Sequence, residues 1–451
     1  MKIKYTQHRP VNDHDEGEES TDIVDTNNHS LPDHPPLESF HSSSNNCAPS
    51  SNIRRRSAFA CFSIATMAII SISILSFSNN RGNLLQSLFS NAIEFAPLPS
   101  PSDPLIRIAF GSCISQHFPQ PFWDTIASVH PNITILGGDN VYADCASMES
   151  CPSDLARAYE KQMSNPSFMG AMKVLPVIAT LDDHDYGFQN ADRNNPYKDI
   201  AKEYFMDFFQ VPKTDKRRTR EGVYTSYMYG DVKKGTSVQI ILLDVRYSRS
   251  ERGGPKNEND PETMMGDAQW EWLHEQFAEP ADVRIVVSSV QLIATGHPFD
   301  CWYVISSREQ ERFYRVVSDS SYSGTTIILS GDRHVGGIYR HNLTDSGDSS
   351  SSSVYEITAS SFTHTIPLPP AVPDKYCWTP GGSTSEECDD PDRERLHPYV
   401  RVNHFASLSF DWASRVVTAD LLRTDATSNS HVGHHRHPDS SEILQSVVIQ
   451  F

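Results

Sequence analysis

Cysteine, aspartate, histidine and tyrosine stand in this sequence directly after short apolar runs, where loops at strand ends would hold them out to a ligand. Phe110-Gly111-Ser112-Cys113 ends in a thiol, and Leu136-Gly137-Gly138-Asp139-Asn140-Val141-Tyr142 offers a carboxylate and a phenol. Thr180-Leu181-Asp182-Asp183-His184-Asp185 gives acids around an imidazole, Leu243-Asp244-Val245-Arg246 a guanidinium, and Ser330-Gly331-Asp332-Arg333-His334 a second acid and imidazole. Singly, each has an ordinary explanation: Gly-Asp after a strand is a common turn, a lone Cys113 can be an inert buried thiol, and Arg246 can pair with Asp244. Jointly they point elsewhere. In open α/β sheets ligands collect outside the carboxyl ends of the strands, so loops far apart in sequence can converge. Hard oxygen donors with one thiolate and one phenolate suit a mixed centre, such as iron(III) with calcium, better than a thiolate-rich zinc site.

The elements that must position these loops are legible as alternating apolar runs and helical patterns. Strands are expected at Ile106–Phe110, Ile133–Leu136, Val174–Thr180, Val238–Leu243, Arg284–Val290 and Thr325–Leu329. Helices are expected at Pro121–Val129, Asp154–Met163, Lys198–Phe209, Asp267–Phe277 and Arg308–Val317. In the fourth, Asp267 can cap the N-terminus while Trp270, Leu273 and Phe277 share a face. The last third reads as strands, at Val335–Tyr339, Val354–Thr358, Phe405–Phe410, Val416–Leu422 and Ile443–Phe451, with a hairpin turn at Asp411–Ser414. The pattern predicts an α/β protein with two packed sheets flanked by helices.

The periphery reads differently. A formal net charge of −19 over 451 residues argues against nucleic acid as a partner. Residues 1–56 are polar and acidic and are expected to be a disordered cytosolic tail. Residues 57–80 carry no charge and follow Arg54-Arg55-Arg56, which predicts one transmembrane helix, a signal anchor with the N-terminus inside; a cleaved signal peptide is the alternative. Residues 81–104 form a Pro/Ser stalk, and 105–451 would then be extracellular or lumenal, a single-pass type II arrangement. Asn132 and Asn342 head glycosylation sequons. Of 8 cysteines, Cys145 with Cys151 and Cys377 with Cys388 bracket short polar loops and are the expected disulfides. Cys47 falls in the tail and Cys61 in the anchor, which leaves Cys113 and Cys301 unpaired. The tract His431, His434, His435 and His437 is expected to be a solvated loop.

At the strand-end loops the chain resembles the PhoD-like alkaline phosphatases (alkaline phosphatase D), a branch of the calcineurin-like metallophosphoesterases. The resemblance covers about residues 105–425 and runs in order through FGSC, GGDNVY, DDHDYG, LDVRYSRS, GDAQWEWL, SSVQ, SGDRH and ITASSFTH. It implies a four-layer α/β/β/α sandwich, here preceded by one transmembrane helix. Carried over by position, Cys113, Asp139 and Tyr142 would hold iron(III), with Asp139 bridging to a second metal. Asp183 takes the place of the superfamily's metal-binding Asn and His184 that of its catalytic His. Asp332 and His334 match its late ligand pair. Asp182 would be a ligand or a residue one layer out, Arg246 a phosphate clamp, and the helix of Trp270 scaffold. The role of Gln291, where the superfamily often has a further His, is in doubt. The extra N-terminal β-domain of the longer bacterial form is not expected here, and Thr180-Leu181 stands where a Trp commonly precedes the acidic pair.

The implied reaction is hydrolysis of a small phosphate mono- or diester by an anchored ectodomain. A metal-held hydroxide would attack phosphorus, and His184 would protonate the leaving oxygen or stabilise the charge there; Asp185 is a candidate to orient His184, a plain surface residue being the alternative. Arg249 and Arg333 are further candidates for phosphate contacts. The rival readings are a diesterase or nucleotidase on the same metals, and a catalytically silent ectodomain that keeps the fold for binding.

Overall fold

The computed structural model describes residues 94–253, 261–295, 300–319, 321–343, 352–366, 394–424 and 442–451. The expected tail, the anchor at 57–80 and most of the stalk, with Cys47 and Cys61, lie outside the described residues. So do Cys377, Cys388 and the histidine tract. Among the described residues no helix is long and apolar enough to cross a membrane.

Among the described residues twelve strands form two sheets: β1 (Arg107–Gly111), β2 (Ile133–Leu136), β3 (Val177–Ala179), β4 (Thr225–Tyr229), β5 (Val238–Leu242), β6 (Val283–Ser288), β7 (Thr325–Ser330), β8 (Gly336–Asn342), β9 (Ser353–Ala359), β10 (His404–Asp411), β11 (Val416–Arg423) and β12 (Ile443–Gln450). The first sheet runs β12-β11-β10-β1-β2-β3, the second β4-β5-β6-β7-β9-β8. β1, β2 and β3 are mutually parallel, as are β5, β6, β7 and β9, so the loops that leave them emerge at carboxyl ends. The helices are α1 (Phe122–Ser128), α2 (Cys151–Met163), α3 (Pro166–Met172), α4 (Lys198–Phe208), α5 (Asp267–Ala278) and α6 (Trp302–Ser318).

Period-two alternation sorts the strand residues into layers. Ile108 and Phe110 of β1 meet Ile240 and Leu242 of β5, Ile285 and Val287 of β6, and Ile327 and Leu329 of β7 in one core between the sheets. The intervening Ala109 turns outward to Trp123, Leu155, Phe168 and Phe205 of the first four helices. Ile241, Val286 and Ile328 turn the other way, to Trp270, Leu273, Phe277 and Phe313 of α5 and α6. Strands with apolar residues on both faces are what such a sandwich requires.

Several boundaries shift for identifiable reasons. β4 carries no apolar run because it is a half-buried edge, so it was not expected. α3 was also unexpected; Asn165 starts it, its Oδ1 accepting from Ser167 N (3.0 Å) and Phe168 N (3.2 Å). That helix consumes the residues before Pro176, which shortens the strand expected from Val174 to β3. α6 begins at Trp302, and the expected Arg308–Val317 is the part beyond a non-helical Ser306 (φ −154°, ψ 87°). Asp267 is the first helical residue, not the cap; Gly266 holds the cap position at φ 72°.

The disulfide Cys145–Cys151 is formed, and Cys113 and Cys301 are free and buried. The Asn132 sequon is built into the fold. Asn132 Oδ1 accepts from Ile106 N (2.7 Å) and Arg107 N (2.8 Å), and Thr134 is fully buried, which does not support a glycan there. Asn342 is exposed at the end of β8, but Thr344 lies outside the described residues.

The ring of Phe362 fills the space above Gly111, where an added Cβ would come within 2.4 Å of Cζ, and it stacks on Phe122 at 4.7 Å. Phe362→Ala is expected to cost about 3–5 kcal/mol, read as a lower urea midpoint.

Candidate metal centre

The loops leaving β1, β2 and β7 place their chemical side chains by an unusual backbone. Cys113 (φ 65°), Asp139 (φ 51°), Asp332 (φ 68°) and His334 (φ 52°) are all left-handed, a region costly for residues with a Cβ and one that clusters at functional sites. Hydrogen bonds knit these loops together: Gly137 N to Gly111 O (2.9 Å), Cys113 N to Gly138 O (3.3 Å) and Ile114 N to Asp139 O (2.8 Å). Gly138 (φ 107°) admits the third loop, because a Cβ there would lie 2.6 Å from Asp182 Cβ.

Among the described residues three groups of potential ligand atoms result, each within 4.8 Å: Cys113, Asp139 and His334; Asp139, Asp183 and His184; and Asp182, Asp183 and Asp332. They share members, Asp139 between the first and second and Asp183 between the second and third. Tyr142 joins the first, its hydroxyl 3.0 Å from His334 Nε2 and 3.3 Å from Asp139 Oδ2. The sequence-predicted ligands thus all converge. The cage also has unused capacity. Asp182 Oδ1 accepts from Ser289 Oγ (2.8 Å) and from Arg246, but its buried Oδ2 has no partner. Buried carboxylate oxygens are seldom left so, and a cation fits both that oxygen and the donor set.

Arg246, expected as a phosphate clamp, is sealed from solvent and holds carboxylates. Its guanidinium pairs with Asp182, with Asp300 at 2.9 Å and with Asp332 at 2.9 Å. Arg249 pairs with Asp300 and donates to Asn190 O. Asp244 shapes the loop, accepting from Arg246 N (3.0 Å) and Tyr247 N (2.9 Å) with Oδ1 and from Val223 N (2.9 Å) with Oδ2. The α5 helix is more than scaffold, since Gln269 bonds both Asp244 N (2.9 Å) and Asp244 O (2.7 Å).

Asp185 does not orient His184. It is buried and ties loops together, accepting from Asn140 N (3.1 Å), Asp182 N (3.0 Å) and Tyr159 OH (3.3 Å). The partner of His184 Nδ1 is Asp144 Oδ1 at 2.6 Å, a residue the sequence reading passed over. Also missed were Asp300 and His364; the His364 ring packs on His334 at 4.2 Å and Tyr142 at 5.3 Å. His364 closes the ITASSFTH motif, so its signal was on view. Gln291 is buried and donates to Tyr339 OH (3.0 Å) and Thr358 Oγ1 (2.9 Å).

The electrostatics are those of a site short of positive charge. Burial raises Asp139, with Asp183 and Asp182 adding to it against His184. Burial and Asp182 carry Asp332 up to about 8, and burial raises the Cys113 thiol and the Tyr142 phenol. Against the cost of burial, Arg246 and His184 hold Asp183 down to about 2. Burial, helped by His364 and His184, lowers His334 to about 3, so it stands neutral and able to ligate.

Two facing sheets, with a buried cage of acid, thiol, phenol and imidazole beyond their strand ends, define a hydrolase of the phosphatase class. The chain belongs to the PhoD-like phosphatase family, whose family model matches residues 108–421. Its fold is similar to the solved structure of PhoD, with a TM-score of 0.57 at 15% identity over 78% of this chain and 71% of that one. A dimetal phosphatase from Danio rerio matches at a TM-score of 0.39 and 11% identity, over 71% of this chain and 97% of that one. No protein of curated function matches the sequence.

Burial and Asp182 raise Asp332 to about 8, and burial raises the Cys113 thiol and the Tyr142 phenol above their ordinary values, so near neutral pH a cation must displace their protons. Metal affinity is therefore expected to rise with pH up to and through about 8, where Asp332 ionises. Calorimetry in buffers of different ionisation enthalpy should register proton release on loading; zero release would exclude these ligands.

Proposed function

We propose that the protein hydrolyses small phosphate esters with bound cations, as an ectodomain anchored by residues 57–80 and facing the exterior or a lumen. The observation that carries this reading is the chain of three overlapping ligand groups, with its unpartnered Asp182 oxygen. A net charge of −19 would repel an anionic ester, and cations concentrated in the cage would reverse the local sign.

Cys113, Asp139, Tyr142 and His334 would hold one cation; their thiolate, phenolate and imidazole support iron(III). The all-oxygen group Asp182, Asp183 and Asp332 supports calcium. Bound cations supply Lewis acidity toward phosphoryl oxygens and acidify the attacking water. The chain does the rest. Asp139 belongs to two groups and sets their spacing. Arg246 fixes Asp182 and Asp332, and a phosphate contact from it requires releasing one of those carboxylates. His184, with its side chain 18% exposed, donates a proton to the leaving oxygen. An intact ligand set speaks against a catalytically silent binding domain.

Asp139→Ala and His334→Ala are each expected to lower turnover of an activated phosphate ester at least about a hundredfold and to reduce bound metal by elemental analysis. Normal turnover by either folded variant would sink the assignment. Deletion of residues 1–80 should move the protein from the carbonate-resistant membrane fraction to the soluble one; an unchanged distribution would refute the anchor.

A further inference from the structure

Phe118, in the loop that leaves Cys113, is 48% exposed. A single exposed aromatic ring is common and by itself needs no function. This one ends a line of rings that starts at the cage. The ring of His364 meets those of His334 and Tyr142 steeply, at 4.2 Å and 78° and at 5.3 Å and 65°. On its outer side it meets Phe118 at 5.7 Å and 35°. Hydrogen bonds build both loops onto the cage. Thr363 Oγ1 accepts from Ser115 N (3.0 Å) and donates to Cys113 O (2.9 Å), while Phe118 N closes a turn on Ser115 O (3.2 Å). The hydroxyl has one proton and spends it on Cys113, so in its 2.9 Å contact with His364 the donor is Nδ1–H, which fixes that ring. Two residues further on, Ile366 N (3.1 Å) and Thr365 Oγ1 (3.0 Å) donate to His334 O. Phe118 and His364 are thus tied to the ligand loops, yet neither belongs to a ligand group or to the core of the first four helices.

We infer that Phe118 and His364 form a platform beside the cage for a flat ring carried by the leaving group of the ester, with Phe118 as the residue that sets this preference. The inference rests on the phosphate-ester hydrolysis proposed above. Flat rings stack on aromatic faces whatever polar groups their edges bear, so the platform selects for a ring and not for one ring's identity. Its placement also selects for length. A ring bonded directly to the ester oxygen would stop near His334, whereas one carried beyond a sugar-sized spacer reaches Phe118. The substrate class with both features is a nucleotide: phosphoryl group at the cations, sugar along His364, base on Phe118.

The test uses the full chain, loaded with metal, and compares adenosine 5′-monophosphate and uridine 5′-monophosphate with ribose 5-phosphate, which keeps the phosphoryl group and sugar but has no base. The wild type is expected to favour both nucleotides over ribose 5-phosphate by about 5- to 100-fold in kcat/KM. Because Phe118 is exposed, Phe118→Ala leaves folding intact. It should bring both nucleotides down to the level of ribose 5-phosphate by raising KM, with kcat and metal content unchanged, since stacking is made equally in the ground and transition states. Phe118→Trp should restore the preference, which a merely structural role for Phe118 would not predict. A nucleotide preference that survives Phe118→Ala, or equal losses on all three esters, would overturn the platform. So would a wild type that hydrolyses all three equally, and phosphate-ester hydrolysis would then stand without it. Failure of the metal-loaded wild type to hydrolyse any of them would defeat both readings.

Discussion

Most of what surrounds the site follows from one constraint: too many carboxylates are buried in one place. Asp139, Asp182, Asp183, Asp185, Asp244 and Asp300 are each at most 3% exposed. Like charges out of water repel strongly and cannot all stay ionised without compensation. The fold meets this in three ways. Arg246 and Arg249 sit among the acids as fixed cations. Asp185 and Asp244 spend their oxygens on backbone N–H groups and hydroxyls. The remainder, Asp139 and Asp332, are pushed up toward the protonated form, Asp332 to about 8.

That arrangement explains why the second sheet contributes as much as the first. Arg246 leaves β5 and reaches Asp182, which leaves β3 of the other sheet. Asp244 and Gln269 set its starting point, so α5, whose outer packing looks purely structural, decides where the guanidinium ends. Removing Arg246 would therefore expose several acids at once rather than delete one contact.

The layered fold and the convergence of Cys113, Asp139, Tyr142, Asp182, Asp183, His184, Asp332 and His334 could be read in the sequence. Doubly buried strands announce themselves as apolar runs, and the chemical residues stand at their ends. What could not be read depends on side-chain direction. Asp185 adjoins His184 in sequence, yet neighbouring side chains in a turn diverge, and the acid that bonds the His184 ring is Asp144, 40 residues earlier. Asp300 lies in a stretch without periodicity, and only burial between Arg246 and Arg249 gives it meaning. The edge strand β4 and the short α3 escaped for a related reason: each is settled by what it packs against or caps.

Two of the three ligand groups join residues from different sheets: His334 completes Cys113 and Asp139, and Asp332 completes Asp182 and Asp183. The centre thus lies across a seam, and an ion bound in either of those groups rivets the halves together. Chain order sharpens the point. The first sheet is completed by β10, β11 and β12, the last of the described strands in chain order, with β10 pairing directly against β1. Because Asp332 and His334 follow β7, a chain that carries only the loops of β1, β2 and β3 does not own a complete cage.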